Sequence, residues 1–156
     1  MEKHIENLQK AINLVKIADH MLYVTYPVIK DKRLLLKTLD QVYDSAIAVI
    51  TSILQYDYLY KRISLFKTSS QENFDIFLNK CAKRYNIDQE ELSELQELLS
   101  IVESHRKSPI EFLRKEKMVI MSDSLKTTII DPERLKKYLG MVKRMIEKAR
   151  FGMNIR

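Results

Sequence analysis

Between Asp31 and Tyr60 the chain contains neither glycine nor proline, and apolar side chains return at Leu35, Leu39, Val42, Ala46, Ile50 and Ile53. That spacing puts them on one stripe of a helix, with Asp40, Asp44, Thr51 and Gln55 on the other side. A helix from about Asp31 to Tyr60 would be roughly 45 Å long, and its apolar stripe has to be covered by other elements lying along it. Only two glycines and three prolines occur in 156 residues, too few for the repeated tight turns of all-β or α/β architectures. The covering elements are therefore expected to be helices.

A first helix is predicted from Lys3 to Tyr26, with Ile5, Leu8, Ile12, Val15 and Leu22 facing inward and Pro27 limiting it. Ile17, Met21 and Val24 widen its apolar arc, which predicts more than one packing neighbour and a central place in the fold. Asp57 and Lys61 continue the inward stripe of the second helix. A third helix follows a capping box formed by Ser69 and Glu72, with Phe74, Phe77, Leu78, Cys81 and Tyr85 on its apolar face. Asp88 is the expected N-cap of a fourth, which presents Leu92, Leu95, Leu99 and Val102. Glu90, Glu91, Glu94 and Glu97 suit the positive N-terminal dipole of that helix and read as solvated.

Ser108-Pro109-Ile110-Glu111 forms a further capping box, predicting a short helix over 109–115. The β-branched stretches Met118–Met121 and Leu125–Ile130, separated by polar residues, predict a small β-hairpin. Asp131-Pro132 starts the last helix, with Leu135, Leu139, Val142, Ile146 and Ala149 inward, a weak point at Gly140 and fraying near Gly152. The expected fold is all-α: one domain over residues 1–156, an antiparallel bundle of four or five helices with the short helix and hairpin inserted before the last.

Cys81 is the sole cysteine, and with three histidines the chain offers neither a disulfide framework nor a Cys/His zinc pattern. No metal or cofactor is expected. The polar start MEKHIENLQK does not read as a secretion signal, and no apolar run approaches the ~20 residues that span a bilayer, so a cytoplasmic location is expected. Phosphate-binding glycine loops, paired-histidine zinc motifs and nucleophile elbows are all missing.

Charge is placed unevenly. Through Glu103 the chain holds 13 Lys/Arg against 15 Asp/Glu, and after it 14 against 6, so the net charge of +6 originates in the last third. Such asymmetry points to an anionic partner: nucleic acid, an acidic protein or an anionic membrane surface. On the last helix Arg134, Lys137, Arg144 and Lys148 spread from one flank of the apolar face round to the back, and Lys136, Lys143 and Arg150 line the other flank. Either group can track phosphates, and either can be an ordinary solvated surface whose stems cover the core edge.

Two further sets of residues are chemically suggestive. Asp19, on the apolar side of the first helix, reads as a perturbed acid in a site or, preferably, as a carboxylate tying two helices. Asp57 and Lys61, an i,i+4 pair among Tyr56, Tyr58 and Tyr60, form a candidate polar pocket unless the helix ends there, which is the preferred reading. His105, Glu111 and Arg114, with Arg106, Lys107 and Lys117, are candidates for metal-independent RNA cleavage, against anion binding or a capped polar loop.

The succession of long amphipathic helices ending in a basic one resembles the HEPN superfamily of small helical proteins, many of them RNA-associated. The catalytic signature of that superfamily, an arginine followed after four to six residues by histidine, is absent at His4, His20 and His105. The resemblance therefore implies a noncatalytic or divergent relative and carries over no active-site residue. The first expectation is a noncatalytic binding module for RNA or another polyanion, using the basic C-terminal third. A protein-interaction or homo-oligomerisation module is the alternative, and a metal-independent ribonuclease comes third.

Overall fold

A computed structural model describes residues 2–64, 70–107, 111–114, 117–121 and 127–155, with side chains except at 70, 71 and 105–130. The fold is an all-α bundle. Helix α1 (Lys3–His20) runs through a π-helical stretch (Met21–Thr25) into the short α2 (Tyr26–Ile29), and α3 spans Arg33–Leu59. An irregular helical arm follows: α4 (Ser70–Ile76), a π-helical turn (Phe77–Cys81) and a 3₁₀ turn (Ala82–Tyr85). Helix α5 (Gln89–Lys107) and helix α6 (Pro132–Gly152) complete the bundle, separated by short strands β1 (Glu111–Arg114), β2 (Lys117–Met121) and β3 (Thr127–Ile130).

Helix α3, not α1, is the central rod. All six residues of its predicted stripe are buried, and Thr38, Ser45 and Ser52 are buried as well. Those three small polar residues recur every seventh position; Thr38 Oγ1 donates to the Leu34 carbonyl of its own helix (2.7 Å), and the other two face α1. Ser52 Oγ donates to the His4 carbonyl (2.6 Å) and Ser45 Oγ to the Ala11 carbonyl (3.0 Å), which sets α1 antiparallel to α3. Small side chains let the two backbones approach, and each buried hydroxyl finds an acceptor. Helix α6 packs on α3 and α1, and α5 packs on α3 and α6. Leu39 is fully buried in the seam, so Leu39→Ala is expected to cost about 2–5 kcal/mol in a denaturant melt.

Helix-forming backbone does not stop at Pro27. Tyr26 donates its N–H to the Met21 carbonyl, five residues back, and this wider register accommodates the ring of Pro27 in the first turn of α2. Lys30, at φ 55°, ends α2. The C-terminal end of the first helix packs on both α3 and α6, as the widened arc predicts, although Ile17 and Val24 remain about half exposed (49% and 53%).

Three non-glycine residues close helical segments in the same way. Lys61, Asn86 and Asn154 have φ of 60°, 56° and 57°. Each is followed by a residue whose N–H reaches back five positions: Arg62 to Asp57, Ile87 to Ala82, Ile155 to Arg150. This pattern satisfies the last carbonyls, and the end of α6 is capped where fraying was expected. Ser69, half of the predicted capping box of α4, lies outside the described residues.

Residues 111–114 form a strand where the sequence predicts a short helix over 109–115. In antiparallel register Glu111 lies opposite Ile120 and Arg114 opposite Lys117, and β2 continues with Met118 opposite Ile130 and Met121 opposite Thr127. A helix of about seven residues is marginal by itself, whereas β2 offers this segment a ladder of backbone hydrogen bonds.

Candidate nucleic-acid interface

The basic side chains of α6 divide between two neighbours. Arg134, Arg144 and Lys148 meet the carboxylates of α5, and Lys136, Lys143 and Arg150 lie on the α1 side.

On the α5 side the cations are engaged in partly buried networks. Asp88 accepts from the Glu91 N–H (2.8 Å) and Glu91 accepts in return from the Asp88 N–H (3.2 Å), a reciprocal cap at the start of α5. The same Glu91 carboxylate, buried to 3% exposure, binds the Lys148 ammonium and lies 3.5 Å from Arg144 Nε. Lys148 also donates to the Asn86 carbonyl (2.7 Å), and Arg144 Nη2 is 3.6 Å from Glu94. One turn pair further along, Arg134 binds Glu97, while Tyr138 donates its hydroxyl to Glu97 (2.7 Å). Glu91 and Glu94 are therefore not solvated, contrary to expectation. Their place near a helix start suits the dipole, but α6 lies across them and excludes water.

The two outer acids shift in opposite directions. It pushes Glu94 above the ordinary carboxylate range, only partly offset by Lys137 and Arg144. At Glu97 burial also works upward, but hydrogen bonds from Tyr138 and Arg134 outweigh it and hold the carboxyl below its usual value. Burial, then the neighbouring Glu97, raises the Tyr138 hydroxyl, which stays protonated as a donor.

On the α1 side the pairs are exposed. Lys136 meets Glu133 (3.2 Å), Lys143 meets Asp19 (2.5 Å) and Arg150 meets Glu147 (3.5 Å). Their acids are 82%, 41% and 72% exposed at the side chain. Pairs of this kind contribute about 0–1 kcal/mol, so a competing phosphate displaces them at little cost. Lys136, Lys143 and Arg150 stand seven residues apart, a nearly straight row with successive members about 10 Å apart along the axis. Half-exposed Tyr23 flanks it, with the Lys136 and Lys143 ammoniums 5.1 and 5.9 Å from its ring centre. Further down, Lys16 and Arg150 border a shallow cleft of about 250 Å³. Tyr23 escapes a reading by apolar periodicity, because only the position of α6 shows which cations surround it.

The candidate polar pocket is not assembled. Asp19 ties α1 to α6 through Lys143, while Asp57 sits fully buried at the end of α3. Asp57 does not pair with Lys61, whose left-handed backbone turns the chain away. Its oxygens instead accept from Arg62 (3.3 Å), Arg84 (2.7 Å) and the Tyr85 hydroxyl (2.7 Å). Burial first, and Asp57 second, push the Cys81 thiol up to about 12 and raise Tyr85. These groups stay neutral and describe a structural lock.

The Tyr85 ring rests on Gly152, where an added Cβ would come within 2.5 Å of Tyr85 Cδ1. Gly152→Ala is therefore expected to lower the melting free energy by about 1–3 kcal/mol through overpacking, a loss that thermal unfolding would show.

The side chains of His105, Glu111 and Arg114 lie outside the described residues. On the backbone, His105 belongs to the end of α5 and the other two occupy the ends of β1. Among the described residues no group of three or more His, Cys, Asp or Glu is placed to hold a metal, and no helix is long and apolar enough to cross a membrane. Comparison of the sequence with protein-family models and with curated proteins finds no match to either.

Proposed function

We propose that the chain is a noncatalytic helical module that binds single-stranded RNA along the α1/α6 face. Lys136, Lys143 and Arg150 track successive phosphates, and Tyr23 offers its ring to a base. The observation that carries this reading is the straight row of weakly paired cations beside an exposed aromatic, the combination that sequence-tolerant single-strand binders use. Of the two basic flanks of α6, this row is preferred, since Arg144 and Lys148 on the other flank are committed to Glu91. A noncatalytic HEPN-like relative would fit the same role.

Gel-shift titrations of a single-stranded RNA oligomer at several salt concentrations test the proposal. Each phosphate contact contributes about 0.7 to the logarithmic salt slope on a single strand. The triple variant Lys136→Gln, Lys143→Gln, Arg150→Gln is thus expected to bind weakly and to flatten the slope by roughly 2. Tyr23→Ala is expected to cost about 1–3 kcal/mol of binding with little change in slope. Absence of wild-type binding at low salt would overturn the reading.

A second reading, association between copies of the chain, rests on a different observation. Ile17, Val24, Val28 and Ile29 are 49%, 53%, 81% and 61% exposed along one stretch of α1 and α2. Apolar surface gathered in this way marks contact sites. Light scattering on the eluted protein separates the two readings: a dimer mass that reverts to monomer in Val28→Glu favours association.

A further inference from the structure

On the side of the bundle away from α1, helices α3, α4 and α5 border a cavity of about 310 Å³. Ile47 and Ile50 of α3, Phe74 of α4 and Leu99 of α5 supply apolar wall, and Glu103 stands exposed among the lining residues. The volume falls in the range of small-molecule sites, as does the combination of apolar lining with a few polar groups.

Two features decide what such a ligand would be. Asn73, another wall residue, buries its Oδ1 without a hydrogen-bond partner among the described residues, and a buried acceptor left in that condition lacks a donor. The described lining also carries one charged side chain, the carboxylate of Glu103, and no lysine or arginine. A carboxylate beside a low-dielectric cleft attracts positive charge to it.

We infer that this cavity binds a small organic cation, an amine carried on an apolar or aromatic body. The body lies against Ile47, Phe74 and Leu99, and the nitrogen supplies donors to Asn73 Oδ1 and the Glu103 carboxylate. The inference is independent of RNA binding on the α1/α6 face.

Three isosteric probes test it: 2-phenylethylamine, 2-phenylethanol and phenylacetate, each titrated into the isotopically labelled full chain and followed by amide chemical shifts. The amine is expected to saturate in the millimolar range, with shifts centred on Ile47, Phe74 and Leu99. The alcohol should bind at least tenfold more weakly and the carboxylate should produce no saturable shift. Glu103→Gln, at an exposed position that leaves the thermal melt unchanged, is expected to weaken the amine at least tenfold. Leu99→Phe, which fills the cavity, should abolish binding. No amine binding, equal binding of the alcohol, or full amine affinity in Glu103→Gln would each overturn the inference.

Discussion

Replacing both Arg144 and Lys148 by glutamine is expected to lower the unfolding free energy by about 3–5 kcal/mol. Glu91 is almost fully enclosed, and these two side chains supply the positive charge that faces it. Removing them leaves an ionised carboxylate held chiefly by its cap to the Asp88 N–H, at a site where water cannot replace the lost partners. Arg144 also faces Glu94, so the double change strips countercharge from two acids at once. The contrast is the pair Lys136→Gln and Lys143→Gln, whose exposed bridges together should cost no more than about 2 kcal/mol. Urea titrations of the two double variants measure the difference. If both pairs unfold like the wild type, the division of α6 into a committed flank and an available flank is wrong.

Asp57→Ala is the second large effect, expected at about 3 kcal/mol, the lower end for breaking a buried pair. The lower end applies because Arg62 and Arg84 are 35% and 38% exposed at the side chain and can rehydrate when the carboxylate is lost. What cannot rehydrate is the Tyr85 hydroxyl, which would remain buried without its acceptor. Tyr85→Phe removes that hydroxyl while leaving both arginines on Asp57, so it should cost only about 1 kcal/mol. Denaturant melts of the two variants separate the ionic lock from its tyrosine bond. Equal losses would mean that the arginines contribute little.

Some of this architecture is legible in the sequence, for identifiable reasons. The stripe from Leu35 to Ile53 on α3 shows itself because apolar periodicity and burial coincide along its length. The row Thr38, Ser45 and Ser52 does not, since counting apolar residues assigns hydroxyls to the surface; the acceptors of Ser45 and Ser52 lie on a helix more than 30 residues away, and that of Thr38 is the Leu34 carbonyl one turn back. Pro27 reads as a stop because local rules assume an α register, and the π-helical stretch before it changes that register. Lys61 and Asn154 close helices in a conformation usually signalled by glycine; at Lys61 the helix has ended, the reading preferred over an Asp57–Lys61 pair.

The candidate face was half visible. The sequence marks α6 as basic and divides its cations between two flanks, but it carries no local sign of which flank meets α5. Glu91 and Glu94 look like ordinary N-terminal acids until α6 is laid over them. The same placement reduces the number of cations open to a polyanion and shifts interest to Lys136, Lys143 and Arg150. Asp19 ties two helices, as its place on α1 predicts, though it is partly exposed rather than buried.

Glu91 takes part at once in the first turn of α5 and in the last turns of α6, through Asp88 on one side and Lys148 on the other. The two helix ends consequently share one carboxylate, and neither can fray without withdrawing a partner from the other. Amide protons in the opening turn of α5 and the closing turns of α6 would then exchange with solvent as one cooperative unit, although more than 50 residues separate them.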